Sequence, residues 1–375
     1  MRLNRLWLTD IRCYTSAELA PAEGLTAIIG DNGRGKTSLL EAVAWLATGR
    51  SFRSAPDAAV VREGADRGYI RAEIERGGRA ALIEAEVVRQ GRNRVQVNRQ
   101  AISRKAALAE AFLVTLFSPD DLELVKGGPA VRRGYLDDVA TAVVPGAGAV
   151  LGEYERVVRQ RTSLLRSGLR TDDDRHTLSV WDDQLVSKGA LVVDARRQVI
   201  DRLEGALAKA YGDLAVGAAR NPVVAGAYET DWGPSPDMRE GDPDIAGLLR
   251  AAIEQHRRRE IDRGQTLVGP HRDEWRLSVA GLDARTHASQ GEQRTLALAL
   301  RLAAHGVLTD HAGEPPVLLL DDVFSELDPG RADALVSLLA PGESGQALIT
   351  TASALPESLA VELRVRVGDG TLAHG

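Results

Sequence analysis

Cysteine is almost absent from this sequence: among 375 residues there is one, Cys13. A single thiol cannot form an internal disulfide, and a chain without disulfides suits a reducing cytosol, so we expect a cytoplasmic protein. Long hydrophobic runs are also absent, since no stretch of about 18 consecutive apolar residues occurs. The opening stretch, MRLNRLWLTD, is interrupted by charge and does not resemble a signal peptide. We therefore expect no membrane span and no membrane partner.

Aromatic residues make up only 4% of the chain, and lysine occurs only five times, so arginine supplies nearly all of the positive charge. Few aromatics, with none interleaved among basic residues, argue against a dedicated platform on which single-stranded bases stack. The formal net charge of −6 argues against simple electrostatic adhesion to nucleic acid, although it leaves room for a local basic face. One of the scarce lysines, Lys36, stands in the most distinctive motif of the sequence.

That motif is GDNGRGKTS, which follows a short β-branched run and precedes a helical pattern. In a strand-to-helix turn, glycines let backbone N–H groups point at an anion, and the helix N-terminus adds partial positive charge. The spacing Gly-x4-Gly-Lys-Thr is that of a phosphate-binding loop. We predict that Lys36 reaches the β and γ phosphates and acts in catalysis, and that Thr37 places its hydroxyl on Mg²⁺. The predicted nucleotide-binding residues are Gly30, Asp31, Asn32, Gly33, Arg34, Gly35, Lys36, Thr37 and Ser38.

A second chemical site is predicted at VLLLDD, residues 317–322. An apolar strand that ends in two carboxylates is what a phosphate-loop ATPase needs next, and we expect this strand to lie beside the strand of the phosphate loop. Asp321 is then a metal ligand that acts through the water shell of Mg²⁺, and Asp322 orients or deprotonates the attacking water.

Two further motifs favour the ABC class of ATPases. The first motif, Ser289 to Gln293, precedes a long helix whose free N–H groups suit a second phosphate. It lies before the acidic strand, as the ABC signature does. Taken alone, it also fits a helix cap with Ser289 as N-cap. The other follows the acidic strand, where ABC-type ATPases carry a loop that contacts the second subunit. In that class the signature of one subunit closes on the ATP of the other, so we predict an ATP-dependent homodimer. The residues are Ser289, Gln290, Gly291, Glu292 and Gln293 for the signature, and Ser325, Glu326, Leu327 and Asp328 for the dimer-contact loop.

The two ends of the chain are alike in character, and the middle differs. Strand patterns dominate both ends, while the middle reads mainly as helices, interrupted by loops at 171–175 and 229–244. We predict an α/β fold in which both termini form one P-loop ATPase head and a mainly helical arm domain is inserted between them. The predicted boundaries are 1–118 and 263–375 for the head and 119–262 for the arm.

The sequence resembles the RecF family of bacterial recombination proteins, which are relatives of the SMC-type ABC ATPases. The resemblance covers nearly the whole chain, and two of its stretches, GPHRD and the block from FSPDDL to LVKG, are specific to this family among ATPases. The stretches that carry it are GDNGRGKTSLLEA (30–42), FSPDDLELVKGGPAVRR (117–133), WDDQL (181–185), GPHRDEW (269–275), SQGEQRTLALAL (289–300) and LLLDDVFSELD (318–328).

This resemblance implies an SMC-like ABC head with an inserted arm, and ATP and Mg²⁺ as cofactors. It implies ATP-dependent dimerisation on double-stranded DNA near single-strand gaps, with weak, DNA-stimulated ATP hydrolysis linked to release. It also implies a partnership with RecR and, indirectly, with RecA, whose filaments assemble at gaps coated by single-strand binding protein. None of these partners is visible in composition or spacing.

Two departures from expected patterns matter. The family often has Gln where Glu292 stands, so a negative charge lies near the proposed trans γ-phosphate unless Glu292 points away. Transporter-type ABC proteins place a His after the next strand to contact the γ-phosphate; that strand here ends in ITTAS, so Thr350 or Thr351 would have to substitute. The roles of Arg53, His271 and Arg272 stay open between nucleotide or DNA contact and ordinary structural turns.

An acidic protein that binds DNA needs a localised basic face. The alternative for each arginine is a solvated position with a carboxylate partner four residues away. Contact with the backbone of duplex DNA is favoured over base reading. The candidates are Arg76, Arg79, Arg92 and Arg94 in the strands after the phosphate loop, and Arg156 and Arg159 on a helix of the arm.

Two rival functions remain at this stage. An ABC-type ATPase subunit that acts on a non-DNA partner, such as a transporter, shares most of the motifs, although the missing histidine and the large insertion speak against it. A nucleotide-gated DNA clamp that scarcely hydrolyses ATP uses the same residues as a slow ATPase. Substitution of Asp322 separates the slow ATPase from the clamp.

Overall fold

The computed structural model describes residues 1–53, 55–102, 105–215, 223–233, 244–338, 345–368 and 370–374. The strands are β1 Arg2–Ile11, β2 Tyr14–Leu19, β3 Leu25–Ile29, β4 Arg67–Arg76, β5 Arg79–Val88, β6 Arg94–Val97, β7 Gln100–Ile102, β8 Val114–Phe117, β9 Val224–Glu229, β10 Glu274–Val279, β11 Leu282–Asp283, β12 Val317–Asp321, β13 Ala347–Thr351, β14 Leu363–Gly368 and β15 Thr371–His374. The helices are α1 Lys36–Thr48, α2 Asp57–Val60, α3 Lys105–Ala111, α4 Glu123–Lys126, α5 Pro129–Val143, α6 Ala147–Ser167, α7 Asp172–Leu214, α8 Ile245–Arg263, α9 Ala284–His287, α10 Gln290–Ala312 and α11 Pro329–Leu338.

The chain divides into two compact units. Unit 1 contains Met1–Asp121, Lys209–Asn221 and Leu298–Gly375, and unit 2 contains Leu122–Ala208 and Pro222–Ala297. The sequence predicted the head to resume at residue 263, whereas residues 263–297 group with the inserted part in this division. The boundaries predicted for the head and the arm therefore stay a prediction. None of the described helices is both long and apolar enough to cross a bilayer.

A six-stranded sheet in unit 1, called the nucleotide sheet here, has the order β15-β14-β3-β13-β12-β8. All of its neighbouring pairs are parallel except β14 with β15. Its central strands, LTAII and VLLLD, are buried along almost their whole length, which is typical of parallel strands covered on both faces. Strands from both ends of the chain share this sheet, as predicted.

One topological expectation was wrong. The acidic strand β12 does not lie beside the phosphate-loop strand β3, because β13 is inserted between them and pairs with both. Parallel strands keep their carboxyl ends at the same edge, so the two motifs still meet there. The inserted strand places Thr350 opposite Asp321 in the register.

A second six-stranded sheet in unit 1 has the order β2-β1-β4-β5-β6-β7, and all of its pairs are antiparallel. Its strands come from the N-terminal end of the chain, where strand patterns were predicted to dominate. Strand β4 alternates buried and exposed positions along its length, as expected for a sheet with one face on the core. Helix α1 packs against strands of both sheets, and 11 of its 13 residues are buried. The helix that follows the phosphate loop is therefore the core of unit 1.

Unit 2 is mainly helical, with a three-stranded sheet in the order β11-β10-β9. Strand β9 was not predicted. The stretch 171–175 is not a loop, because α7 begins at Asp172. Thr171 and Asp174 cap this helix reciprocally, since Thr171 N donates to Asp174 Oδ2 (2.9 Å) and Asp174 N donates to Thr171 Oγ1 (3.1 Å). Consecutive acidic residues suit a helix N-terminus as well as a loop. Residues 234–243 of the predicted loop 229–244 lie outside the described residues.

His305 of α10 makes unit 1 sensitive to acid. Its Nδ1 lies 2.9 Å from Thr115 Oγ1, and burial lowers its pKa to about 4. The unfolded chain protonates this histidine near pH 6.5 and the folded chain only near pH 4, so its contribution to stability is complete above pH 6.5 and is lost as the pH falls. At pH 5 the loss is about 2 kcal/mol.

We expect His305→Gln, which keeps a polar partner for Thr115, to lose less stability than the wild type between pH 7.5 and pH 5. Urea unfolding at the two pH values measures this difference. The exposed His311 of α10 offers the matched control, since His311→Gln should leave the pH dependence unchanged. Equal pH dependence of stability in wild type and His305→Gln would show that folding does not lower the pKa of His305.

Candidate nucleotide-binding site

A pocket of about 810 Å³ in unit 1 is built around the phosphate loop. Its walls come from the loop itself, the β1–β2 turn, Arg53, residues 58–63, the end of β5, and the carboxyl ends of β12 and β13. It contains both motifs that the sequence singled out, because Lys36, Thr37, Asp321 and Asp322 all line it. The chemistry predicted from two distant stretches therefore meets in one place.

Glycine is required at two points of the phosphate loop. Gly33 (φ 78°) and Gly35 (φ 112°) have left-handed backbones, which side chains with a Cβ rarely adopt. A Cβ on Gly35 would also lie 2.5 Å from Cys13 Sγ and 2.8 Å from the hydroxyl of Tyr14. The Tyr14 hydroxyl donates to Gly35 O (3.0 Å), which ties the loop to strand β2.

Lys36 is the buried cation of the loop, with 6% of its surface exposed. Its Nζ donates to Gly30 O (2.7 Å) and to Asp31 O (2.9 Å). These carbonyls hold the ammonium group inside the loop. The next residue, Thr37, donates from Oγ1 to Asp321 Oδ1 at 2.9 Å, which joins the phosphate loop to the acidic strand.

Thr350 contacts both aspartates, Asp321 through its carboxylate and Asp322 through its backbone N–H. Its hydroxyl donates to Asp321 Oδ1 (2.7 Å) and accepts from Asp322 N (3.0 Å). Burial raises the pKa of Asp321, and the hydrogen bonds from Thr350 and Thr37 act against this shift. Thr351 donates to Ser353 O at 2.9 Å. Both hydroxyls are thus engaged in hydrogen bonds within the protein, and a contact of either threonine with the γ-phosphate stays a prediction.

Asp322 has a left-handed backbone (φ 50°, ψ 30°). Apart from glycine, Asp and Asn are the residues that tolerate this conformation best. Its Oδ1 is buried and accepts no hydrogen bond within the described part of the chain. An unsatisfied buried carboxylate oxygen costs free energy and is common where a protein binds water or a reacting group. This geometry suits a group that accepts a proton from water.

Three arginines also line the pocket: Arg12, Arg53 and Arg89. The sequence analysis left Arg53 unassigned and did not assign Arg12 to the nucleotide site. Arg12 lies in the turn between β1 and β2, where its own backbone is left-handed (φ 52°), and no local pattern signals such a turn. Arg89 donates to Ala65 O (3.0 Å), which fixes it at the end of β5.

The residues that line the pocket are suited to bind a magnesium–nucleotide complex. The loop glycines admit a close approach of phosphates, Lys36 supplies a fixed positive charge, and the arginines add to it. A hydroxyl and a carboxylate that already meet at 2.9 Å, Thr37 and Asp321, are oxygen ligands of the kind that Mg²⁺ prefers.

The predicted signature begins helix α10 in unit 2. Ser289 and Glu292 form a reciprocal capping box, in which Ser289 N donates to Glu292 Oε2 (2.8 Å) and Glu292 N donates to Ser289 Oγ (3.3 Å). The carboxylate of Glu292 is thus folded back onto the start of its own helix. Gln293 is buried, and its Nε2 donates to Ala284 O and Arg285 O, both at 3.1 Å. Gln290 is exposed.

The predicted dimer-contact loop lies directly after Asp322. Ser325 Oγ donates to Asp322 O at 2.7 Å, so the loop is tied to the backbone of Asp322. Asp328 caps α11 by accepting from Arg331 N (3.1 Å), and that backbone hydrogen bond is the largest cause that lowers its pKa. Leu327 is partly exposed between them.

The GPHRD stretch has a structural role within unit 2. His271 Nδ1 lies 2.7 Å from the Tyr154 hydroxyl, and burial lowers the pKa of His271 to about 4. Asp273 accepts from Tyr228 and Trp232, both at 2.6 Å, and burial raises its pKa to about 6. The guanidinium of Arg272 is exposed and pairs with Asp231 at 3.2 Å. His271 and Asp273 thus belong to a buried hydrogen-bond network, while Arg272 lies at the surface.

The four DNA-binding candidates of unit 1 do not lie together. Arg76 and Arg79 are paired opposite each other where β4 meets β5, whereas Arg92 and Arg94 lie at the other end of β5. That strand has 10 residues, and Arg94 lies opposite Glu86, so the two pairs are about 20–30 Å apart. Arg76 is partly buried and donates to Ala109 O and Glu110 O.

In unit 2, Arg156 and Arg159 are exposed on α6, and Arg159 pairs with Glu155 at 3.7 Å. A neighbour on the same helix behaves differently: Arg161 is fully buried between Asp182 (2.8 Å) and Glu260 (2.6 Å). It therefore cannot belong to the basic face that its helix was expected to present.

Comparison with known proteins assigns these motifs to one family. The family model described as "RecF/RecN/SMC N terminal domain" matches residues 2–363. A protein of Frankia alni described as "DNA replication and repair protein RecF" is 44% identical over 358 residues, which cover 94% of this chain and 93% of the relative. A protein of Kineococcus radiotolerans with the same description is 40% identical over 397 residues, which cover 100% of both chains.

Solved structures agree with this result. A structure described as "the recombination mediator protein RecF-ATPrS in RecFOR pathway" has a TM-score of 0.89 at 28% identity and covers 100% of this chain and 98% of its own. An Smc head bound to the C-winged helix domain of ScpA has a TM-score of 0.57 at 15% identity, covers 100% of this chain and 97% of its own, and shows the fold alone. The predicted SMC-like ABC head is confirmed.

Proposed function

We propose that this chain, which belongs to the RecF family, is an ATP-dependent DNA-binding protein of DNA replication and recombinational repair. The observation that carries the proposal is the meeting of Lys36, Thr37, Asp321 and Asp322 in one pocket. The near full-length relatives are described as DNA replication and repair proteins. That description favours this function over a transporter subunit, which the sequence left open.

In the proposed cycle, the phosphate loop and Lys36 bind the triphosphate of ATP. Mg²⁺, held by Thr37 and Asp321, would neutralise charge that develops on the phosphates. Asp322 accepts a proton from the attacking water at its unsatisfied Oδ1, and Thr350 keeps both aspartates in place through its hydroxyl. Hydrolysis is weak and DNA-stimulated in this proposal, as the resemblance to the RecF family implies.

We infer that ATP joins two copies of the chain. The signature, Ser289 to Gln293, would offer the N-terminus of α10 to the γ-phosphate bound by the other copy, and residues 325–328 would contact that copy next to Asp322. Loss of the γ-phosphate removes the contact, so hydrolysis releases the dimer. Duplex and gapped DNA are the proposed ligands, with RecR as a partner and RecA as an indirect one, in the cytoplasm.

Binding of a labelled DNA duplex, followed by fluorescence anisotropy at two salt concentrations, tests this proposal. We expect tighter binding with ATP than with ADP or without nucleotide, and a weakening as salt rises, because phosphate contacts release counterions. Binding that ignores the nucleotide would mean that the ATP cycle serves another purpose. A gapped duplex in the same assay reports whether gaps are preferred.

The capping box makes a prediction for dimerisation. Glu292→Gln keeps a side-chain oxygen that accepts from Ser289 N but removes the negative charge from the start of α10, where the γ-phosphate of the other copy would bind. We expect ATP-dependent dimers to form at concentrations about five- to tenfold lower, as analytical ultracentrifugation can measure. Glu254→Gln, at an exposed position of α8, is the matched control. An unchanged or weakened dimer would contradict the proposed position of the γ-phosphate.

A further inference from the structure

Glu41 is an acidic residue placed inside the core of unit 1. It belongs to α1, five residues after Lys36, in the apolar context LLEAVAWLA, and it is 0% exposed. Its carboxylate accepts three hydrogen bonds: from Arg12 Nε (2.8 Å), from Arg12 Nη2 (2.5 Å) and from Ser51 Oγ (2.5 Å). A buried carboxylate is costly unless it is paired and hydrogen-bonded, and this one is satisfied by two segments distant in sequence.

The first of these segments leads to the nucleotide pocket. Arg12 lies in the turn between β1 and β2, which is held by a hydrogen bond from Arg12 N to Val60 O (2.8 Å). Its side chain is 18% exposed, and the exposed part lines the pocket together with Lys36. The Glu41 carboxylate accepts one N–H of Nε and one of Nη2, which fixes the guanidinium plane. The other three of its five N–H donors are the two on Nη1 and the second on Nη2.

The second segment leads to the same pocket by another route. Ser51 Oγ donates to Glu41 and accepts from Arg53 N (3.1 Å), so the carboxylate also fixes the backbone from which the side chain of Arg53 extends. Arg53 lines the pocket. Burial raises the pKa of Asp321, and the charge of Arg53 acts against that shift, so the guanidinium is close enough to influence the acidic strand.

We propose that Glu41 is a positioning residue of the nucleotide site, which holds Arg12 directly and Arg53 through Ser51 so that both arginines contact the phosphates of the bound nucleotide. Guanidinium groups bind phosphate oxygens bidentately when their planes are fixed in advance. The buried carboxylate of Glu41 thus fixes the orientation of the guanidinium groups of Arg12 and Arg53. The proposal rests on the proposed nucleotide-binding function of the pocket.

Loss of the Glu41 charge should therefore weaken nucleotide binding without a contact between Glu41 and the nucleotide. In Glu41→Gln an amide N–H₂ replaces one carboxylate oxygen and faces the guanidinium donors, so Arg12 is released from its fixed plane. We expect the Kd for a fluorescent ATP analogue with Mg²⁺ to rise about tenfold, the usual effect of one charge-assisted hydrogen bond. Glu73→Gln, at an exposed position of β4, removes the same charge and should leave the Kd unchanged.

The decisive measurement is a double-substitution cycle on the full chain. If Glu41 acts by positioning Arg12, the double variant Glu41→Gln/Arg12→Gln binds the analogue as Glu41→Gln alone does. Independent effects would instead multiply to about a hundredfold. The titrations are made at 10 °C, with circular dichroism confirming that each variant is folded, so that a lower population of folded protein does not imitate weaker binding.

Ser51→Ala keeps the inference testable if Glu41→Gln does not fold, because it removes only the hydroxyl that links Glu41 to Arg53. We expect a Kd about threefold higher, and an unchanged Kd would overturn the role of this link. If the wild type binds the analogue while Glu41→Gln binds equally well, or the double variant is multiplicatively weaker, the inference is wrong and the proposed function stands. If the wild type itself fails to bind the analogue, the proposed function is wrong.

Discussion

Asp322→Asn is expected to stop ATP hydrolysis while ATP binding remains. The substitution removes the charge that accepts a proton from water, so we expect the hydrolysis rate to fall about a hundredfold or more, as for other general bases. Asn tolerates the left-handed backbone at this position and keeps the N–H that donates to Thr350. The fold and the nucleotide affinity should therefore be preserved.

The consequence for assembly distinguishes this residue from the rest of the pocket. If hydrolysis releases the dimer, Asp322→Asn should accumulate as an ATP-bound dimer that persists through size-exclusion chromatography with light scattering. Single-turnover hydrolysis of radiolabelled ATP measures the rate in parallel. Asp333→Asn, at an exposed position of α11 in the same unit, is the matched control and should behave as the wild type. Unchanged hydrolysis in Asp322→Asn would mean that another group handles the water.

The same experiment separates the two functions that share these residues. A slow ATPase loses a measurable rate when Asp322 is replaced, and its dimer lifetime increases. A nucleotide-gated clamp that scarcely hydrolyses ATP has little rate to lose, so its dimer lifetime stays the same. The capping box of Ser289 and Glu292 enters this comparison as well, because Glu292→Gln changes how the dimer forms and leaves the chemistry at Asp322 alone.

The sequence was sufficient for the parts of the site that depend on local geometry. The phosphate loop requires a strand, left-handed glycines and a helix start in a fixed order, and all three are visible in GDNGRGKTS and its flanks. The acidic strand is visible as a fully apolar run that ends in Asp321 and Asp322. Taken alone, this run also fits a buried strand that ends at a solvated acidic turn, and the phosphate loop upstream favours the functional interpretation. Both strands were predicted close to their observed bounds.

Contacts that depend on tertiary packing could not be predicted. The insertion of β13 between β3 and β12 follows from strand pairing over long separations. It places the Thr350 hydroxyl between the Asp321 carboxylate and the backbone N–H of Asp322. Arg12 looks like any other arginine of a strand-rich segment until its turn is known. Glu41 could be recognised in part, because an acidic residue within an apolar helix needs a buried partner. The local sequence does not indicate which residue that partner is.

The spatial arrangement of the arginines predicted to bind DNA could not be predicted from the sequence either. Where arginine is the default cation, a cluster in sequence says little about a cluster in space, and the two ends of β5 separate Arg76 and Arg79 from Arg92 and Arg94. Burial then decides the roles of the others. Arg161 satisfies two buried carboxylates, while its neighbours on α6 face solvent.

Lys36→Met is expected to have its effect before any chemistry, by preventing nucleotide binding. The ammonium group is buried and held by Gly30 O and Asp31 O, so its position is set in advance of the phosphates. Hydrogen bonds to charged groups contribute about 1.5–3 kcal/mol each, so losing one or two of them should raise the Kd for MgATP about a hundredfold. Methionine fills a similar volume without the charge, and the loop should keep its shape.

Isothermal titration of MgATP into wild type, Lys36→Met and Lys209→Met measures this effect, with Lys209 as an exposed lysine of the same unit. Lys36→Arg adds a sharper test, because it keeps the charge but replaces a compact ammonium by a planar guanidinium that does not fit between the two carbonyls. We expect the arginine variant to bind nearly as weakly as the methionine variant. If arginine restored binding, the loop would require only a positive charge, and the scarcity of lysine elsewhere in the chain would lose its meaning for this site.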